Sequence, residues 1–174
     1  MTIGTTFEAY VGERRGALRR FAVVLCGDPV LAEDLVQDVL ARVFERWAQV
    51  SAADSVHAYV RRMLVNEFLT WRRRTGRTRS YADLDAYLTP VADPADGRAD
   101  ALALVAELAR LPRQQRAALV LRYYEDMPYA EIAEVLGSGE NAARSNVSRA
   151  LANLRIELAG DPPAGSPSRM EARP

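Results

Sequence analysis

Apolar residues in the first part of the chain recur every three or four positions. Phe7, Tyr10, Val11, Leu18, Phe21 and Leu25 fall on one side of a helix, because a turn of 3.6 residues brings positions i, i+3, i+4 and i+7 together. The run "CGDP" interrupts this stripe. Pro29 suits a first helical turn, with Asp28 before it as the N-cap. A second stripe then reaches Trp47 through Leu31, Leu35, Val39, Leu40, Val43 and Phe44. A third helix is expected from about Val56 to Arg74. No stretch alternates with period two for long enough to predict a strand.

The stripe lapses in "TGRTRSYADLDAYLTPVADPADGRAD", which is rich in Pro, Gly and Asp and reads as a flexible acidic linker. Its charge changes sign, from Arg72, Arg73, Arg74, Arg77 and Arg79 to Asp83, Asp85, Asp93, Asp96 and Asp100. Helical periodicity then resumes. "ALALVAELARL" predicts one helix, and Pro112 restarts another carrying Ala117, Val120, Leu121 and Tyr124 on one side. Pro128 opens a short helix with Ile132, Val135 and Leu136, Gly137 and Gly139 supply a turn, and a last helix runs from about Glu140 to Leu158. The Pro-, Gly- and Ser-rich end from residue 160 is expected to be disordered. The fold class is therefore all-α: two small helical domains, residues 1–76 and 100–159, joined by a linker over 77–99 and followed by a tail over 160–174.

Composition narrows the chemistry. Formal net charge is zero, so a polyanion partner must be met by local patches and not by the whole molecule. Every basic residue is Arg, which excludes a Schiff-base or P-loop lysine. One Cys, Cys26, and one His, His57, allow no internal disulfide and no zinc site of the usual Cys/His type. No metal ligand set and no cofactor motif are expected. Cys26 reads as a small buried apolar residue and His57 as a helix-start or core-edge residue; neither has the partners a hydrolase needs. No signal peptide and no apolar run of membrane-spanning length are visible, which points to a cytoplasmic protein without a membrane partner.

Two surfaces stand out. On the last helix, Ala143, Val147, Ala150, Leu151, Leu154 and Leu158 share one side, while Asn141, Ser145, Ser148, Arg149 and Ala152 point the other way, flanked by Arg144 and Arg155. A face with basic, amide and hydroxyl groups but no carboxylate suits phosphates and base edges in a major groove. A short helix, a Gly turn and a longer helix form a helix-turn-helix. In the third helix, Tyr59, Phe68 and Trp71 interleave with Arg61, Arg62, Arg72, Arg73 and Arg74. Aromatics among arginines can stack unpaired bases and hold their phosphates. Taken singly, these aromatics equally suit a core, and an Arg cluster at a helix end is favoured by the helix dipole.

The blocks "DPVLAEDLVQDVLARVFERW", "YVRRMLVNEFLTWRRR", "LPRQQRAALVLRYYEDMPYAEIAEVLG" and "SNVSRALANLR" resemble, in order and spacing, bacterial sigma factors of the extracytoplasmic-function group, of actinobacterial type. This resemblance to the sigma-70 family implies that the first module is sigma domain two and the later one sigma domain four. It implies core RNA polymerase, through its β′ clamp helices and β flap, and promoter DNA as partners, with an anti-sigma factor as a further candidate. Asp28, Glu33, Asp34, Gln37, Asp38 and Phe44 match the surface that docks on the polymerase. Tyr59, Arg62, Asn66, Trp71, Arg72, Arg73 and Arg74 match the part that opens and reads the minus-ten element. Asn141, Arg144, Ser145, Asn146, Ser148 and Arg149 lie in the helix that reads the minus-thirty-five element.

The turn "GSGENAARS" departs from the family pattern, which has a Ser and then Gly-Thr-Val opening the last helix; Ser138, displaced by one residue, is the candidate cap. The competing function is a stand-alone helix-turn-helix regulator, which needs a dimerisation surface for paired half-sites and leaves the first module without a role.

Overall fold

The computed structural model describes residues 6–71 and 95–159, with side chains placed for 6–71 and 101–154. The described residues are helical, without a strand. Arg72 to Arg74, the linker up to residue 94 and the tail from 160 lie outside them, as do the side chains of Arg155 and Leu158.

Helix α1 spans Phe7–Cys26 and α2 Pro29–Glu45. Thr6 caps α1 by accepting from the Ala9 amide. Gly27 ends it in the left-handed region at φ 69°, a conformation a Cβ disfavours. Asp28 caps α2 as expected, its carboxylate accepting from the Val30 and Leu31 amides at 2.9 and 3.2 Å. Only two residues join the helices, so they form an antiparallel hairpin. Phe7 meets Phe44 and Trp47 at the far end, with ring centroids at 5.1 and 5.6 Å, and Arg15 and Arg19 both pair with Glu33. A short α3, Trp47–Val50, follows a break at Arg46 that the apolar pattern did not signal. Helix α4, Val56–Thr70, is capped by Ser55 and crosses the hairpin. Its described end, at Trp71, precedes the Arg74 expected from the sequence.

The later module contains α5, Ala95–Arg110, α6, Arg113–Tyr123, α7, Tyr129–Leu136, and α8, Glu140–Ala159. Helix α5 begins inside the stretch read as linker. Helix α8 packs mainly on α6 and α7.

The two modules are not held apart. One cluster of buried side chains runs from Leu18, Phe21, Val60 and Phe68 in the first to Val105, Leu121, Ile132 and Val147 in the second. Helices α5 and α6 lie against α1, and α6 and α7 lie against α4. A Cβ on Gly27 would stand 2.4 Å from that of Ala109 in α5, so the backbone there approaches closely only because the residue is Gly. Gly27→Ala is expected to lower the unfolding free energy by about 2–4 kcal/mol, from left-handed strain plus overpacking. Urea unfolding of Gly27→Ala, Ala109→Gly and the double variant checks this; strictly additive effects would mean the close approach is absent.

His57 sits at the start of α4 and is half-buried, its Nδ1 3.2 Å from the Tyr10 hydroxyl. Burial first, then Arg61 and Arg14, push its pKa down from 6.5 to about 4. The unfolded chain therefore binds a proton that the folded chain refuses between about pH 6.5 and pH 4. The stability this contributes is fully present above pH 6.5 and lost as pH falls toward 4. Thermal melts across this window should show a shallower acid decline in His57→Gln than in the wild type; parallel declines would count against it.

Candidate promoter and polymerase surfaces

The helix-turn-helix forms for reasons visible in the chain. Helix α7 buries Ile132, Ala133, Val135 and Leu136 within two turns. Gly137 then adopts φ 61°, and its amide and that of Ser138 return to the carbonyls of Glu134 and Ala133. These bonds satisfy carbonyls that the ended helix leaves without donors. Ser138 does not cap α8. Its Oγ is buried without a hydrogen-bond partner, while the Gly139 carbonyl accepts from the Ala143 amide at 3.0 Å and so occupies the cap position. The reason is the preceding turn: it commits Ser138 to closing α7.

Helix α8 presents the expected two faces. Ala143, Val147 and Ala150 are buried, and Leu151 and Leu154 pack partly against the core. Asn141, Ser148, Arg149 and Ala152 are exposed. Ser145 is half-buried, where the helical wheel places it outward; Asn146 is half-buried as well. Arg144 is tied back: it pairs with Glu140 at 2.7 Å and lies over the Tyr129 ring at 4.6 Å. Arg149, by contrast, makes no ion pair with a described residue. The face can therefore offer one unengaged guanidinium, an amide and a hydroxyl to a groove.

On α4, Tyr59, Arg62 and Asn66 lie along one stripe, because spacings of three and four residues return to the same side. Tyr59 and Asn66 are exposed and Arg62 half-exposed. Buried Val60, Leu64, Val65 and Phe68 hold the opposite side. Trp71 ends the helix, half-buried, with the Arg113 guanidinium 5.6 Å from its ring. Arg62 reaches out of its module to Glu134 of α7, at 3.0 Å.

On α2, Asp34, Gln37 and Asp38 are exposed, about two to three turns before Phe44. Phe44 is 59% exposed, although its ring touches Phe7. It borders a groove of about 400 Å³ formed with Phe7, Val11, Arg15, Gln37, Leu40 and Ala41. Of the other two acids expected here, Asp28 is spent on its own helix cap, and Glu33 is engaged by Arg15 and Arg19 and accepts from Gln37. Burial raises and these partners more than offset it, leaving the Glu33 carboxyl below its usual pKa.

Residues that the sequence reading passed over lie between the modules. Arg113 and Arg116 of α6 donate across to the ends of α4 and α1. Arg116 is only 6% exposed, and burial pulls its pKa down to about 10, still charged at neutral pH. The signal was slight: Arg116 falls among the apolar positions Ala117, Val120 and Leu121 of a buried helix. Cys26 is buried as expected, and burial pushes its thiol pKa up, so it stays protonated. No described helix is long and apolar enough to cross a membrane, and no described cluster of His, Cys, Asp and Glu could hold a metal.

With this geometry in place, similarity to known proteins is informative. Residues 6–78 match the sigma-70 region 2 family and residues 101–154 the sigma-70 region 4 family. The chain is 37% identical over 152 residues to the RNA polymerase sigma-E factor of Streptomyces coelicolor, covering 87% of this chain and 85% of that protein. It is 30% identical over 159 residues to the extracytoplasmic-function sigma factor SigL of Mycobacterium tuberculosis, covering 86% and 87%. Its fold is similar to that of the sigma factor RpoE of Bartonella quintana, solved in complex with the anti-sigma factor NepR, at a TM-score of 0.66 and 28% identity over 90% of this chain and 98% of that one. A chain that carries both regions in order, and aligns with such relatives over most of their length, belongs to the sigma-70 family of RNA polymerase sigma factors, within its extracytoplasmic-function group.

Proposed function

We propose that this sigma factor brings core RNA polymerase to its promoters by reading the upstream element with α8 and the opened minus-ten strand with α4, and that it does no bond-making chemistry of its own. The observation that carries this reading is the exposed face of α8, where Asn141, Ser148 and Arg149 stand clear of a core made by Ala143, Val147 and Ala150. Side chains of this kind on a helix that follows a tight turn fit the major groove. Asn146 and Ser145, half-buried, act from the edge of that face, and Arg144 from its start. The stripe of Tyr59, Arg62 and Asn66, with Trp71 and the arginines 72–74 beyond it, supports stacking and phosphate contact with unpaired bases.

Polymerase docks on α2, where exposed Asp34, Gln37 and Asp38 lead to Phe44 and its groove. An exposed aromatic anchor beside acidic groups suits a partner helix with apolar and basic positions. Asp28 and Glu33 serve this surface by fixing the hairpin. The working compartment is the cytoplasm, where polymerase and promoter are found. The anti-sigma complex of the Bartonella quintana relative supports a protein inhibitor as a third partner. Run-off transcription with core polymerase on genomic fragments tests the whole reading: defined start sites should appear only when the chain is added.

Asp34→Arg should weaken core-polymerase binding several-fold, mainly through a slower association rate, while helix content stays the same. Surface-binding kinetics against immobilised core enzyme measure this; an unchanged rate would remove Asp34 from the docking face. Arg149→Ala should reduce recognition of one upstream base pair by about 1–3 kcal/mol, roughly 5- to 150-fold, if the contact is to guanine. A promoter series substituted at each upstream base gives the readout. Equal losses on every sequence, with a smaller salt slope, would instead assign Arg149 to phosphate.

A further inference from the structure

One aromatic ring ties three helices together at the entrance to the reading helix. Tyr129 opens α7 and is half-buried, packed against the core. Two guanidiniums converge on its ring, that of Arg144 at 4.6 Å from the centroid and that of Arg122 at 5.2 Å. Cations are drawn to the negative face of an aromatic ring. Arg122 belongs to α6; it donates to the Met127 carbonyl at 3.1 Å, with the Asp126 carboxylate 3.8 Å away. Arg144 belongs to α8 and pairs with Glu140, one turn earlier, at 2.7 Å. Helices α6, α7 and α8 thus meet at a single ring.

This stack stands where packing at the start of α8 is thin. The chain carries Asn141, Ala142 and Ala143 where the family pattern has Gly-Thr-Val. Ala143 is fully buried, but it offers one methyl where a Val offers a branched side chain. Simplified packing costs an element its unique placement before it costs stability. An exposed Glu–Arg pair alone would not restore that placement, since such pairs contribute little. A ring anchored in the core, and shared by charges from both neighbouring helices, does.

The stack also decides which side chain at the helix start meets the bases. At about 100° per residue, Asn141, Ser148 and Ala152 fall within about 20° of one outward line, and Arg144 lies about 60° to the side of it that Glu140 shares. Asn141, Ser148 and Ala152 are all exposed. In a helix-turn-helix the first residues of the second helix contact base edges. With Arg144 folded back onto Tyr129, the Asn141 carboxamide is the polar group aimed outward there. A carboxamide matches adenine, donating to N7 and accepting from the N6 amine.

We propose that Tyr129 is a positioning residue for promoter reading: by holding Arg144 off the base edges it sets the entry of α8 so that Asn141 reads an adenine in the upstream element. This inference rests on the promoter reading proposed above and gives it a base preference. A released Arg144 reaches guanine instead, because a guanidinium matches O6 and N7 of that base. Tyr129 thereby favours adenine over guanine without touching a base itself.

The test is transcription by the holoenzyme from a promoter found by run-off with the wild-type chain, substituted at each upstream base pair in turn. One upstream position should prefer adenine by roughly 5- to 150-fold. Asn141→Ala should abolish that preference while the other positions keep theirs. Tyr129→Leu should shift the same position from adenine toward guanine, and Tyr129→Phe, which keeps the ring, should select as the wild type does. Glu140→Gln, an exposed change on the other side of Arg144, should give the same shift more weakly, and it carries the test if thermal melts show that Tyr129→Leu does not fold. Equal losses on every template, the mark of a purely structural role, would overturn the proposal. So would an adenine preference that survives Asn141→Ala, or one unchanged in both Glu140→Gln and a folded Tyr129→Leu. Tyr129→Phe behaving as Tyr129→Leu would assign the effect to the hydroxyl and overturn the stack. Absence of defined start sites with the wild type would overturn the sigma reading and this inference with it, whereas start sites without an adenine-preferring upstream position would overturn the inference alone.

Discussion

A single buried guanidinium sets the terms of this structure. Arg116 carries full charge in a place 6% exposed to solvent. Such a group is tolerated only when several acceptors surround it. Four carbonyls do so, two from α1 and two from the α5–α6 corner. The ends of α1 and α5 must therefore meet, and Gly27 is the residue that lets them. From that junction the rest follows: α6 is pinned across the first module, α7 and α8 are carried with it, and the outward face of α8 points away from the shared core.

The same constraint orders the functional surfaces. The residues proposed for docking on α2 lie on the hairpin's outer side, where Asp34, Asp38 and Phe44 stay exposed although the modules are joined. The α8 face is likewise free. The α4 stripe differs, because its end at Trp71 lies next to Arg113 and its Arg62 next to Glu134.

Much of this could be read from the chain because local rules and tertiary packing agree. Helical periodicity located the long helices, Asp28–Pro29 marked the start of α2, and Val147 against Arg149 separated the two faces of α8. What could not be read depended on contacts distant in sequence. Ser145 looked outward on a wheel but is half-buried, since α8 packs on more than one neighbour. Ser138 looked like a cap, yet the turn after α7 had a prior claim on it. Glu33 looked like a docking acid, but its partners sit on a helix about four turns back. The arginines of α6 resembled ordinary surface charge, because nothing local says that their acceptors are the ends of helices some 90 residues earlier, as with Cys26.

The central claim is that one chain uses α8 and α4 on the same promoter, at separate places. Chemical footprinting of the holoenzyme on a promoter found by run-off transcription tests it most directly. Two protected blocks should appear, one upstream and one beside the opened start region, with unprotected duplex between them and only the upstream block weakened by Arg149→Ala. A single continuous block, or an upstream block indifferent to Arg149, would contradict the account.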